Sequence, residues 1–125
     1  MSTDNLAQFA GQNYLNLESY RKDGTAVCTP VWFAEGDGLL YVYTLADSYK
    51  VKRIRNNPRV RVAPCNFKGA LKGEWVPASA RILDKAGARR AHELLDRKYW
   101  FSKRIGNLMA RLRGYKRAEI AIQLD

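Results

Sequence analysis

At 125 residues, with 46% hydrophobic and 27% charged side chains, the chain suits one domain, residues 1–125, able to bury a modest core, and it need not be disordered. Its formal net charge is +10, and Cys28 and Cys65 are too far apart for a Cys-x-x-Cys metal or redox pair, so the partners to expect are anions. No apolar run reaches the length of a membrane span and no charged-then-apolar signal opens the chain, which points to a cytoplasmic protein with reduced thiols.

Thr3 or Asp4 can cap a short first helix that puts Leu6 and Phe9 on one side and ends at Gly11. Tyr14 to Tyr20 then alternates, with Leu15 and Leu17 on one face, as a half-buried strand does. Arg21-Lys22-Asp23-Gly24 is a hairpin turn, and Thr25 to Ala34 is the return strand, rich in β-branched and aromatic residues. Pro30 cannot donate a ladder bond, so a bulge, a bend or an edge belongs there. Glu35 to Gly38 turns the chain into a third strand, Leu39 to Thr44. A short helix follows, capped by Asp47 or Ser48 and stopped by Pro58. Arg59 to Ala63 is a strand with Val60 and Val62 on one face. After a loop from Asn66 to Gly73, Glu74 to Leu83 is a fifth strand, interrupted by Pro77, with Ala78, Ala80 and Ile82 sharing a face. Asp84 to about Tyr99 suits a helix with Ala88, Ala91, Leu95 and Tyr99 along one stripe. A second helical run carries Phe101, Ile105, Leu108, Met109 and Leu112 and stops at Gly114. Ala118 to Leu124 closes the chain as a strand with Ile120, Ile122 and Leu124 inward. Six short, mostly hairpin-linked strands with few helices predict a small antiparallel barrel, closed or split.

Charge placement narrows the chemistry. Between Asp47 and Glu74 there is no acid but eight cations, and eight more lie between Asp96 and Glu119, together sixteen of the 22 Lys and Arg. The helix Tyr49 to Asn57 carries Lys50, Lys52, Arg53 and Arg55 behind Ser48. Free N–H groups at a helix N-terminus, its positive dipole end and nearby cations together make a phosphate seat. A capped, solvated surface helix gives the same pattern. On a helix Lys50 and Arg53 share a face while Lys52 points elsewhere, so one phosphate cannot engage all of them.

Other chemistries find little support. There is no Gly-rich dinucleotide fingerprint, no Gly-Lys-Ser/Thr loop and no second histidine beside His92-Glu93 to bind zinc. His92, the only histidine, sits on the polar side of a basic helix and is expected at the surface. Trp32, Phe33, Tyr41 and Tyr43 are expected in the barrel core. Trp75, Tyr99, Trp100 and Phe101 suit either core or a subunit interface. No general acid–base pair stands out, so catalytic residues remain unassigned and no metal site is predicted.

The series Tyr14-Leu15, Arg21 to Thr25, Thr29 to Phe33, Leu40 to Val42, Ser48 to Pro58 and Val62 to Cys65 resembles the split β-barrel flavin and deazaflavin oxidoreductases. This is the superfamily of pyridoxamine 5′-phosphate oxidase, and the similarity is greatest to its short F420-dependent branch. The resemblance runs from about Tyr14 to the C-terminus. It implies a mainly β fold, a six-stranded antiparallel split β-barrel, and a homodimer with two cofactor sites between subunits. It implies FMN or F420 as cofactor and hydride transfer to a small organic substrate. Thr29, Pro30, Val31, Trp32, Tyr43 and Thr44 would lie beside the ring. Ser48, Lys50, Val51, Lys52 and Arg53 match the phosphate-binding turn, and Ala63, Pro64 and Cys65 match the strand near the ring. Tyr99, Trp100 and the cations after Lys98 are candidates for the second subunit's share. Oxidation of pyridoxamine phosphate itself is not expected, since its phosphate needs a further basic set and a placed histidine. The cofactor carries the redox chemistry, so an absent acid–base pair is no objection. Two other readings stay open: a flavin, haem or tetrapyrrole carrier without turnover, and a basic barrel tracking single-stranded nucleic acid. The second is disfavoured, because the cations gather on a turn and a late helix instead of along sheet faces.

Overall fold

The structure, a computed structural model, describes residues 2–99 and 117–125. The expected helical run from Phe101 to Leu112 lies outside the described residues, as does Trp100. Three helices and six strands follow in the order α1 (Ser2–Ala7), β1 (Tyr14–Tyr20), β2 (Ala26–Gly36), β3 (Leu39–Leu45), α2 (Tyr49–Asn56), β4 (Arg59–Cys65), β5 (Val76–Ile82), α3 (Lys85–Tyr99) and β6 (Arg117–Leu124). The strands form a closed antiparallel barrel in the order β1-β2-β3-β6-β5-β4, so the mainly β, six-stranded expectation holds. The short first helix expected before Gly11 is α1, Ser2–Ala7.

Alternation along each strand fills the barrel. Leu15 and Leu17 of β1, Phe33 of β2, Leu40 and Val42 of β3, Val60 and Val62 of β4, Ala78 and Ala80 of β5, and Ile120 and Ile122 of β6 point inward and are buried. Phe9, after α1, packs edge-on against Phe33 at 5.7 Å between ring centroids. Ile54 joins the core from α2.

A second apolar layer covers the outside of β2, β3 and β6. There Ala91, Leu94, Leu95 and Tyr99 of α3 pack on Ala34, Tyr41 and Ala121. The Asp84 carboxylate caps this helix by accepting from the Gly87 N–H at 2.9 Å. Gly36 lets α3 approach closely, because a Cβ at that position would stand 2.5 Å from a terminal methyl of Leu94. The β2–β3 turn, Asp37-Gly38, holds both residues at positive φ, 58° and 78°, as a two-residue hairpin with right-handed strand twist requires. Arg90 of α3 then clamps that turn with two hydrogen bonds to the Asp37 carboxylate.

The pairing between β2 and β3 is incomplete. Strands β2 and β3 pair from Gly36↔Leu39 to Phe33↔Val42 and no further. Ala26 to Trp32 pair with β1 alone, and Tyr43 to Leu45 pair with β6 alone. Pro30 falls within this one-sided stretch, where a missing N–H leaves no ladder bond unmade, so the edge expected at Pro30 is found. The fold thus has a split whose lips are Thr29 to Trp32 and Tyr43 to Leu45.

Leu17 is wholly buried among apolar neighbours, so Leu17→Ala is expected to cost about 2–5 kcal/mol through lost burial and a residual cavity. Urea unfolding would show this as a lower midpoint with an unchanged slope.

Candidate functional site

Helix α2 lies against the barrel because Val51 and Ile54 are buried on one side of it. Its opposite side is therefore cationic and open. Ser48 caps it, accepting from the Val51 N–H at 3.4 Å, and the Ser48 and Thr44 hydroxyls lie 3.3 Å apart. The β1–β2 hairpin rises beside this helix. Between them is an open cavity of about 700 Å³, lined by Arg21 and Lys22 of the hairpin and by Lys52, Arg53 and Arg55 of α2. Tyr20, Tyr49 and Asn56 complete the wall, with no acidic residue among them.

These five cations have no ion pair among the described residues. Arg53 donates from Nε to the Ser19 hydroxyl at 2.7 Å, a neutral partner. Burial and the facing Arg21 both lower the Arg53 guanidinium below its usual range. Like charges held together with no acid among them repel, and an anion would relieve this.

The cavity is lined by only some of the cations that the spacing brings together. Lys52 and Arg53 line the cavity, whereas Lys50 does not; burial, with Arg53 adding, lowers the Lys50 ammonium instead. Val51 does not line the cavity: its side chain is in the core and its N–H donates to the Ser48 hydroxyl. Arg21 and Lys22 were read only as turn residues; no local signal in the chain says that a hairpin tip will fold back on a distant helix.

The strand candidates form a second group. Thr29 Oγ1 and Trp32 Nε1 are buried without a hydrogen-bond partner, on one lip of the split. Tyr43 and Thr44 are on the other lip. Register aligns the β4 candidates with β2 through β1: Ala63 with Asn16 and Pro30, Pro64 with Leu15 and Val31, and Cys65 with Tyr14 and Trp32. Two strand spacings, about 10 Å, separate the ends of each row. None of these strand residues lines the cationic cavity, so within one chain the two groups remain separate.

Two polar clusters on the sheet went unread in the sequence. His92, expected at the surface, is half-buried and engaged: its Nε2 lies 2.9 Å from the buried Glu119 carboxylate, and its ring meets Tyr43 edge-on at 4.8 Å. It flanks the apolar stripe of α3, which turns it toward β6. Glu18 takes two hydrogen bonds from Arg61, at 2.6 and 2.9 Å, and one from Tyr20 at 2.8 Å. Arg61 in turn stacks on Trp75 at 4.9 Å. Among the described residues no group of histidine, cysteine and carboxylate side chains could hold a metal ion. Nor is any described helix long and apolar enough to cross a membrane.

Arg61 holds the Glu18 carboxyl at about 2, well below its ordinary 4.5, against the opposing effect of burial. A lowered folded-state value stabilises the fold above the unfolded value and is lost as pH falls through the folded one. Stability should therefore drop between about pH 5 and pH 2, and Arg61→Gln should flatten that part of the profile in thermal unfolding. His92→Ala strands the Glu119 carboxylate and is expected to cost about 1–3 kcal/mol in urea unfolding.

Comparison with known proteins completes the picture. No curated protein matches the chain. Among solved structures, a conserved hypothetical protein from Mycobacterium tuberculosis superposes with a TM-score of 0.73 at 22% identity, covering 99% of this chain and 81% of that one. An FAD-binding protein from Mesorhizobium loti gives 0.66 at 20% identity, over 100% and 90% of the two chains. HutZ, the heme storage protein from Vibrio cholerae, gives 0.70 at 11% identity, over 98% and 89%. At these identities the likeness is one of fold. The family model of pyridoxamine 5′-phosphate oxidase, however, matches residues 2–122, and the chain belongs to that family.

Proposed function

We propose that the chain binds a flavin or deazaflavin, FMN or F420, by its anionic tail and serves as an oxidoreductase for a small organic substrate. The acid-free set of five cations around the cavity beside α2 carries this reading. Charge-assisted hydrogen bonds contribute about 1.5–3 kcal/mol each, and two or three with ring burial reach the roughly 8 kcal/mol of micromolar binding. FMN has one phosphate; the further cations suit the longer anionic tail of F420. Their gathering round one cavity favours a compact anion over a nucleic-acid strand.

Arg53 and Lys52 would neutralise the tail from the helix side, and Arg21 and Lys22 from the hairpin. The Thr29 hydroxyl and the Trp32 indole N–H, buried without partners, fit the polar edge of a ring entering the split. Such a ring, when bound, supplies hydride transfer. The chain supplies orientation, charge and exclusion of water. The separation of the cationic cavity from the strand rows supports a homodimer in which a second copy completes each site. Exposed Tyr49 and Phe67, 76% and 60% accessible, give that copy apolar surface to cover.

A second reading is a flavin or haem carrier without turnover on the same barrel. The sole histidine is engaged by Glu119, so an axial haem ligand would have to break that pair.

Titration with FMN and with F420, followed by ring fluorescence, should give a micromolar dissociation constant for at least one. Arg53→Ala and Lys52→Ala should each weaken it about tenfold, about 1.4 kcal/mol, with little change in Tm. Riboflavin, which lacks the phosphate, should bind far less. Absence of any response to both cofactors overturns the reading, and a Soret shift with haem alone favours the carrier. Sedimentation as a single chain at saturating cofactor overturns the dimer.

A further inference from the structure

A second cavity, about 340 Å³, lies on the other side of β2, between the segment after α1 and the last turn of α3, and shares no lining residue with the cationic one. Lys98 lines it beside Arg97, with Phe33, Leu94 and Glu35 in the wall. The Lys98 amine makes no ion pair among the described residues. It donates to the main-chain oxygens of Gln12 at 2.6 Å and Phe33 at 2.8 Å, and lies 3.9 Å from the Phe33 ring centroid.

We propose that this cavity is a carbonyl-binding site in which Lys98 forms an imine with a small aldehyde or ketone acid whose anionic group pairs with Arg97. A lysine desolvated in an apolar pocket is an arrangement that makes an amine nucleophilic. Burial lowers the ammonium to about 8, opposed by Glu35, so roughly a tenth is neutral at pH 7. A neutral amine keeps two N–H donors, one for each carbonyl, and leaves its lone pair free.

The step balances without a co-reactant. The lone pair attacks the carbonyl carbon, a C–N bond forms, and the carbonyl oxygen leaves as water with both amine hydrogens. On protonation the imine regains one N–H for the Gln12 oxygen. The Phe33 oxygen meanwhile keeps the Tyr99 hydroxyl, which donates to it at 2.6 Å. The Tyr99 hydroxyl also faces the Asn13 oxygen at 3.0 Å, so its one hydrogen is shared between the two carbonyls.

Glyoxylate with cyanoborohydride tests this, since reduction fixes the adduct as a carboxymethyl group that peptide mass mapping can locate. Among the nine lysines of the chain, Lys98 should be labelled at least tenfold faster than any other in the folded protein at pH 7. That preference should vanish in urea. Arg97→Gln should slow labelling of Lys98 by glyoxylate severalfold and leave labelling by propanal unchanged. Lys98→Arg, which keeps donors for both carbonyls, should fold normally and show only slow, even labelling elsewhere. Labelling of Lys98 at the rate of the exposed lysines, or a preference that survives in urea, overturns the proposal.

Discussion

Burial of Val51 and Ile54 is the constraint from which the cationic cavity follows. Two aliphatic side chains three positions apart bind α2 to the barrel by one stripe, and helical geometry then sends Lys52 and Arg53 the other way. Without that anchor the same cations would be an ordinary solvated face. With it, they are fixed opposite Arg21 and Lys22, and Arg53 lies close enough to Arg21 for that charge to disfavour its own. Folding thus holds together a group of charges that have no ion pair among the described residues.

Much of this was legible in the sequence, and for local reasons. Alternation in Tyr14 to Tyr20 and Arg59 to Ala63 depends on near neighbours, and so does the capping of α2 by Ser48. Pro30 announced an unpaired edge because a missing N–H is a property of the residue itself. What stayed hidden depends on tertiary closure. Arg21 and Lys22 join the seat only because a hairpin tip meets a helix almost thirty residues later in the chain. His92 finds Glu119 because α3 lies over β6, and Lys98 finds Gln12 because the chain after α1 returns beneath α3.

Strand pairing and charge have complementary parts. The ladder between β2 and β3 stops at Phe33↔Val42, which frees backbone and side-chain polar groups on two lips. Thr29 and Trp32 keep unsatisfied polar atoms there, a cost that most buried groups avoid. A fold that tolerates both unpaired donors and uncompensated cations has put its instability where binding can remove it. The apolar barrel interior, closed everywhere else, supplies the stability that makes this tolerable.

Gly36 has a wider effect than its size suggests. The missing methyl there sets the depth at which Leu94, and α3 with it, settles on the sheet. One added carbon would act as a wedge: either Leu94 rotates, or the helix lifts and carries its C-terminal turn along. Lys98 and Tyr99 reach the oxygen of Phe33, three residues before that glycine, so the wedge would loosen the fastening between helix and strand. A single hydrogen atom in place of a side chain is thereby the spacer that sets the size of the second cavity.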